Sequence, residues 1–184
     1  MRTETLPADI LDFWFSPEMA KQWFNATPAL DELIRARFES LWSRAFRGEY
    51  DHWTATPEGS LALAILLDQF PLNMFRGKPE SFSTEQLAVR VALEAVSRGQ
   101  DARLPKERVA FLYMPLMHSE SLSDQERSVE LIEAAGLEEN LRFAKHHREL
   151  IRRFGRFPHR NAILGRESTP EEIAYLGSKE AFTG

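Results

Sequence analysis

A strongly basic segment, residues 142–166, contains the side chains best suited to chemistry in this sequence. It holds eight arginines and lysines and three of the chain's five histidines but one acid, Glu149, whereas the whole chain has a formal charge of −5. Arginine presents fixed N–H donors that match a carboxylate or a phosphate. The segment therefore either pairs with the protein's own carboxylates or binds an anionic ligand, and the sequence leaves both possibilities open.

The first part of this segment is predicted to be helical. Residues 138–154 have helical periodicity, and Gly155 is expected to end the helix. On that helix His147 shares a face with Phe143 and Phe154, so it is the inward-facing histidine. A histidine on an apolar face is commonly a satisfied core residue, but His147 is also a candidate titratable group.

The second part is a loop, GRFPHRN at 155–161, which Phe157 is expected to anchor and Pro158 to stiffen. Such a loop presents its polar side chains from a defined backbone. It is followed by a helix predicted to begin near Thr169, whose free N–H groups favour negative charge. The candidate anion-binding residues of this region are Arg156, His159, Arg160, Asn161 and Arg166.

Asp68 and Gln69 follow a segment, residues 61–67, that is apolar on all sides and is expected to be a central helix. Pro71 should end that helix, and residues 71–81 are predicted to form a loop that carries Arg76. An unpaired buried carboxylate costs several kcal/mol. Asp68 is therefore expected either to pair with an arginine of the basic segment or to lie at the mouth of a cleft.

Tyr113, His118 and Glu120 lie on or beside Pro115, which is expected to kink the helix that begins after Pro105. Residues two apart on a helix point about 200° away from each other, so His118 and Glu120 cannot share a metal ion from a regular helix. A hydrogen-bonded helix end is the favoured interpretation. No metal site is predicted.

The composition excludes several classes of function. The chain of 184 residues has no cysteine, which excludes disulfides, thiolate metal sites and cysteine nucleophiles. The pI of about 5.6 argues against a general nucleic-acid binder, and the longest apolar run is too short to span a bilayer. No leader peptide, cofactor motif or nucleophile elbow is found. We expect a cytoplasmic protein with no cofactor and no nucleic-acid or membrane partner; the sequence does not indicate its oligomeric state.

Signals for the start of a helix recur along the whole sequence and predict an all-α fold. Prolines follow Ser or Thr at 16–17, 27–28, 56–57 and 169–170, and capping boxes are predicted at Ser83/Gln86 and Ser123/Glu126. No period-two run is long enough for a strand. We predict one helical domain over residues 1–184, a compact array of about eight or nine helices in which short links make neighbours antiparallel.

Four motifs carry a family resemblance: LDFWF at 11–15, LLDQFPLNMFRG at 66–77, FLYMPLMHSE at 111–120 and FGRFPHRNAILGR at 154–166. With these the chain resembles the bacterial domain of unknown function 924 family over nearly its whole length. The resemblance implies an all-helical, tetratricopeptide-like fold in a small soluble protein without an assigned role. Where that family usually reads LDQFPRN, this chain has Leu72 in place of the arginine. Arg76 is therefore the cation of the motif at 66–77. The family supplies no catalytic residues.

The three segments 66–76, 113–120 and 147–166 are predicted to converge on one polar cleft. The leading hypothesis is a binding module for a small anionic ligand or an acidic peptide. One alternative is an enzyme that uses His118 or His147 as general base; another is a structural polar core without a ligand. The predicted ligand-binding residues are Asp68, Gln69, Arg76, Tyr113, His118, Glu120, His147, Arg156, His159, Arg160, Asn161 and Arg166.

Overall fold

The computed structural model describes residues 6–182, and no strand occurs within that range. The all-α prediction is therefore confirmed for the described residues. The expectation about a leader peptide concerns the N-terminal residues, of which residues 1–5 lie outside the described range. The α-helices are α1 (Pro7–Trp14), α2 (Pro17–Ala20), α3 (Pro28–Phe46), α4 (Pro57–Leu67), α5 (Gln69–Met74), α6 (Glu85–Ser97), α7 (Lys106–His118), α8 (Leu122–Ala134), α9 (Glu138–Phe154) and α10 (Pro170–Leu176). Short 3₁₀ turns cover Asp51–Ala55, Pro79–Phe82, Asp101–Arg103 and Pro158–Arg160.

Four helices begin as the sequence predicts, with a capping hydroxyl followed by proline. The hydroxyl oxygen accepts a hydrogen bond from the backbone N–H three residues later, and the proline occupies the first helical position, where no N–H is required. The capping residues are Ser16, Thr27, Thr56 and Thr169, with hydrogen bonds of 3.1–3.2 Å.

The two predicted capping boxes are wrong, because the hydroxyl groups bond elsewhere. Helix α6 follows Thr84, whose Oγ1 donates to the carbonyl oxygen of Leu67 over 2.6 Å instead of capping the helix. Ser83 donates to the preceding turn. Helix α8 follows Ser121, whose Oγ lies 2.8 Å from the Oγ of Ser123 and makes no capping bond.

The loop predicted for residues 71–81 is wrong in its first part, because α5 extends from Gln69 to Met74. Helix α4 does end before Pro71, at Leu67, and Asp68 separates the two helices. Pro71 is the third residue of α5. Its missing N–H lies in the first turn, where backbone N–H groups have no intrahelical acceptor, so the proline does not weaken this helix.

The chain divides into two compact units, each formed from two stretches of sequence. Within the described range, unit 1 consists of residues 6–76 and 80–115, and unit 2 of residues 77–79 and 116–182. The single-domain expectation for the whole chain stays a prediction.

Unit 1 is built on α4, which is buried on all sides as its apolar sequence predicts. Its residues 61–67 are 0–3% exposed, and α1, α3 and α6 pack against it. The rings of Phe70 and Phe111 each lie 5.6 Å from that of Trp14, the bulkiest buried side chain of α1. Among the described residues, no helix combines the length and the apolar content needed to cross a membrane.

Gly59 provides a test of this packing, because it lies in the first turn of α4 against the backbone of Trp53. A Cβ atom at Gly59 would lie 2.0 Å from the Trp53 carbonyl oxygen. We expect Gly59→Ala to lower the free energy of unfolding by about 2 kcal/mol, measured by urea denaturation. The control is Gly177→Ala, where the nearest atom would be 3.6 Å away; equal stability of the two variants would contradict the prediction.

Unit 2 contains the predicted helix 138–154, now α9, which is joined to α8 by a three-residue link and packs against it. Gly155 ends α9 in the left-handed conformation with φ +70°. His147 is buried as predicted, but Phe143 is wrongly predicted to face inward, since its side chain is 47% exposed. Its ring lies under the Arg142 guanidinium and lines a surface depression of about 380 Å³ with Glu138 and Glu139.

Candidate functional site

The twelve predicted ligand-binding residues fall into both units. Unit 1 contains Asp68, Gln69, Arg76 and Tyr113; unit 2 contains His118, Glu120, His147, Arg156, His159, Arg160, Asn161 and Arg166. Their convergence on one cleft stays a prediction. Within each unit, the contacts of the side chains define smaller groups.

In unit 1, Asp68 and Tyr113 are buried polar groups with partners. Asp68 is 5% exposed and accepts a hydrogen bond of 2.6 Å from the Gln69 amide. The same amide nitrogen lies 3.5 Å from the sulfur of Met114. The hydroxyl of Tyr113 donates to Asp101 over 2.8 Å. These bonds satisfy groups that would otherwise be costly to bury.

Arg76 is bound to Asp31, a residue that the sequence did not single out. Its Nε and Nη2 atoms lie 2.7 and 3.0 Å from the two carboxylate oxygens, and the Asn73 amide donates to Asp31 over 2.9 Å. Burial opposes ionisation of Asp31, but the hydrogen bonds from Arg76 and Asn73 outweigh it and hold the pKa of Asp31 below its usual value. An aspartate on the first turn of a helix is too common to be identified as a site residue from sequence.

In unit 2, Arg156 forms a bidentate ion pair with Glu172, which is 2% exposed. The Nε and Nη2 atoms of Arg156 lie 2.7 and 2.9 Å from the two oxygens. Glu172 also accepts from the Asn161 amide (3.1 Å) and from the backbone N–H of Thr169 (2.8 Å), which completes a capping box at the start of α10. The hydrogen bond from Arg156 is the main cause that lowers the pKa of Glu172 to about 2.

Glu172 was missed in the sequence, although a pattern for it exists. The run Thr169–Pro170–Glu171–Glu172 places an acid three residues after a capping threonine, which is the capping-box spacing. The sequence indicates the helix start but not the arginine that would bind the same carboxylate.

A second bidentate pair joins Arg166 to Glu120. The Nη1 and Nη2 atoms of Arg166 lie 2.8 and 2.9 Å from the carboxylate oxygens, and the backbone N–H of Phe157 donates to Glu120 over 2.8 Å. Burial opposes ionisation of Glu120, but the bonds from Arg166 and Phe157 hold its pKa below the usual value. Arg166 also donates to the amide oxygen of Asn161 over 3.0 Å. Asn161 therefore connects the two ion pairs.

Arg160 is buried, at 5% exposed, and has two contacts that hold the loop. Its guanidinium carbon lies 4.7 Å from the centre of the Phe157 ring, and its Nη2 donates to the carbonyl oxygen of His118 over 2.7 Å. His118 is the last residue of α7, where a cation is favoured by the helix dipole. Arg160 thus fixes the loop to a helix end.

Three histidines of unit 2 form a surface that we call the histidine face (His146, His147 and His159). The ring of Phe182 lies on it, with ring centres 6.4, 4.6 and 5.1 Å from these histidines in that order. Phe157 supports it from within, 5.5 Å from His147 and 5.6 Å from His159. The Nδ1 atom of His147 is bonded to the carbonyl oxygen of Phe143 over 2.8 Å.

Two histidines of this face, His147 and His159, are neutral at pH 7. Burial lowers the pKa of His147 to about 3 and that of His159 to about 4, with Arg160 as a second cause for His159. The Nδ1 atom of His159 is buried and has no hydrogen-bond partner among residues 6–182. No group of three or more histidines and acids in that range is placed to hold a metal ion.

Four more cations of the basic segment contact acids of unit 2. Lys145 lies 3.4 Å from Glu133, and Arg153 lies 2.8 Å from Glu171. Arg148 and Arg152 both contact Glu126. Most of the positive charge of residues 142–166 is therefore balanced by carboxylates of the same unit.

Residues 10–180 match the sequence model of a family described as bacterial protein of unknown function (DUF924). The chain belongs to this family. The chain is similar to the solved structure of a protein of unknown function from Agrobacterium tumefaciens, with 43% sequence identity and a TM-score of 0.86; the match covers 93% of this chain and 96% of that one. No curated protein matches the chain. The family resemblance is confirmed, and DUF924 membership assigns no role to any residue.

Proposed function

We propose that this DUF924 protein is a binding module for a small anionic ligand or an acidic peptide terminus, and that its site is the Glu120–Arg166 pair. The main support is the set of donors that binds the Glu120 carboxylate, namely the Arg166 guanidinium and the Phe157 N–H. Both charged side chains are about a quarter exposed, at 25% and 24%. The same donors match a carboxylate or phosphate of a ligand, which would bind by displacing Glu120.

The other arginines of the loop support this site instead of contacting the ligand. Arg156 is engaged by the buried carboxylate of Glu172, and Arg160 is buried with Nη2 on a backbone carbonyl. Both side chains hold residues 155–166 in place. A cytoplasmic location and a tetratricopeptide-like arrangement of the helices belong to the same proposal.

The completeness of these pairs also favours the structural alternative, in which Glu120 and Arg166 hold the fold and bind nothing. The catalytic alternative has less support. Of its two candidate bases, His147 is 5% exposed, so a substrate has little access to its ring.

Replacing the carboxylate of Glu120 distinguishes the binding proposal from the structural alternative. Glu120→Gln keeps the shape of the side chain but no longer neutralises Arg166. We expect this variant to bind inorganic phosphate or citrate about tenfold more tightly than the wild type, since a charged hydrogen-bonded competitor has been removed. Isothermal titration calorimetry and the anion-dependent rise in melting temperature measure the effect, and Arg166→Gln should abolish it in either background.

The matched control is Glu171→Gln, which breaks the pair with Arg153, whose side chains are 61% and 46% exposed. This variant should bind the two anions as the wild type does. If Glu120→Gln melts lower by the same amount with and without phosphate or citrate, the pair is a structural element and the binding proposal fails.

A further inference from the structure

The histidine face is covered by a ring from the protein's own chain. Phe182 follows α10 in a short stretch, residues 178–182, that we call the covering segment. Ser178, Lys179 and Glu180 of this segment are exposed, and Phe182 is half-buried. The histidine face is therefore occupied by an aromatic side chain that an irregular peptide segment supplies.

One hydroxyl group anchors the covering segment to α10. The phenol oxygen of Tyr175 accepts from the backbone N–H of Phe182 over 2.8 Å and donates to the carbonyl oxygen of Glu180 over 3.3 Å. The Tyr175 ring itself is 5% exposed and packs 5.3 Å from that of Phe154. The segment's other hydrogen bonds among the described residues are local, as between Glu180 and Ser178. Ala181 and Phe182 pack against the core, but residues 178–180 are exposed, so a segment with this anchor opens more readily than the core beneath it.

One polar atom of the histidine face, Nδ1 of His159, has no hydrogen-bond partner among the described residues. A phenylalanine ring offers this buried atom no conventional hydrogen bond. Burying such an atom without a partner is unfavourable. A ligand ring that brings a hydroxyl group to this atom would satisfy it, and because a hydroxyl both donates and accepts, it suits either tautomer of the histidine.

We propose that the histidine face is a docking site for a tyrosyl side chain of a partner peptide, and that the covering segment occupies it when the partner is absent. Phe157, His147 and His159 form the aromatic walls of this site. Phe182 shows that a ring on a peptide backbone fits there. Binding at this site does not require displacement of Glu120. This inference is therefore independent of the function proposed for the Glu120–Arg166 pair.

Two variants of the full chain test whether the segment is a displaceable cover. In Phe182→Ala, water reaches the histidine face, and the pKa of His159 is expected to rise from about 4 towards its ordinary 6.5, followed by NMR of the histidine rings. Tyr175→Phe removes the anchoring hydroxyl but keeps the core ring, and should raise the open population about fivefold. Ile173→Ala, at an exposed position of α10, is the control and should change neither quantity. Unchanged histidine resonances in Phe182→Ala would contradict the proposal that the covering segment shields the histidine face from water.

The second experiment tests the partner's chemistry with N-acetyl amides of tyrosine, phenylalanine and leucine. We expect saturable shifts of the His147 and His159 resonances, tightest for the tyrosine amide and weakest for leucine. Binding of the tyrosine amide should be about fivefold tighter in Tyr175→Phe than in the wild type. His159→Phe, which keeps a ring but lacks Nδ1, should remove the preference for tyrosine over phenylalanine. No saturable shift, or equal binding of leucine, would overturn the docking site.

Discussion

Replacing Glu172 with glutamine is expected to destabilise the protein by about 3 kcal/mol, because it leaves a network of donors without its acceptor. The Glu172 carboxylate is 2% exposed and accepts hydrogen bonds from Arg156, Asn161 and the Thr169 N–H. A glutamine amide turns one acceptor into a donor and removes the charge that balances the guanidinium. Arg156 is 28% exposed and can be partly hydrated, so we expect the low end of the cost of breaking a buried pair.

The adjacent residue provides a matched control for this experiment. Glu171 also pairs with an arginine, Arg153, but at 61% exposed. Exposed pairs contribute little, so Glu171→Gln should change the free energy of unfolding by less than about 1 kcal/mol. Urea denaturation of both variants measures the difference. If Glu172→Gln is no less stable than Glu171→Gln, the network does not stabilise unit 2.

A double-mutant cycle with Arg156→Gln separates the ion pair from the capping box. If the pair dominates, Arg156→Gln and Glu172→Gln should be strongly non-additive, since the second substitution removes a partner that is already lost. If the Thr169 cap dominates, the two costs should add. The cycle thus assigns the stabilisation to one of two roles that the same carboxylate combines.

Rules that use only neighbouring residues predicted the helices well. They predicted some of the capping hydroxyls correctly and others wrongly. Proline after a capping Ser or Thr is determined by the backbone of one turn, and Ser16, Thr27, Thr56 and Thr169 all behave accordingly. The hydroxyl of Thr84 instead bonds Leu67, seventeen residues earlier in the chain. A sequence window around the expected helix start contains no information about that acceptor.

The same limit explains what was and was not predicted at the site. The arginines of residues 155–166 were identified by their concentration, but Arg166 meets Glu120 across 46 positions of sequence. A basic segment predicts that carboxylates or ligand anions will gather there; which of them does so depends on the tertiary fold. In unit 2 the chain supplies most of them itself, and this is why the binding proposal becomes a question of displacing Glu120.

Acid is expected to destabilise the protein before its carboxylates are protonated, because two histidines are held in the neutral form in the folded protein. Burial lowers the pKa of His147 to about 3 and of His159 to about 4, whereas an unfolded histidine has a pKa of about 6.5. Below pH 6.5 the unfolded chain therefore binds protons that the folded chain does not. Stability is complete above this pH and falls as the pH decreases.

The size of the effect follows from the number of protons. Each histidine contributes up to about 1.4 kcal/mol per pH unit, so the two together are expected to cost roughly 3 kcal/mol between pH 6.5 and pH 5. Carboxylates with lowered pKa values, such as Glu120 and Glu172, add to the loss only below their unfolded pKa near 4.5. Urea denaturation between pH 7 and pH 5 therefore isolates the histidines.

Substitution of His147 tests this assignment directly. His147→Gln should lower stability at pH 7 through lost packing, but it should also remove about half of the pH dependence between pH 6.5 and pH 5, since a glutamine takes up no proton. An identical slope in His147→Gln and the wild type would mean that His147 is protonated in the folded state over this range. The histidine face would then be open to water and not sealed by Phe182.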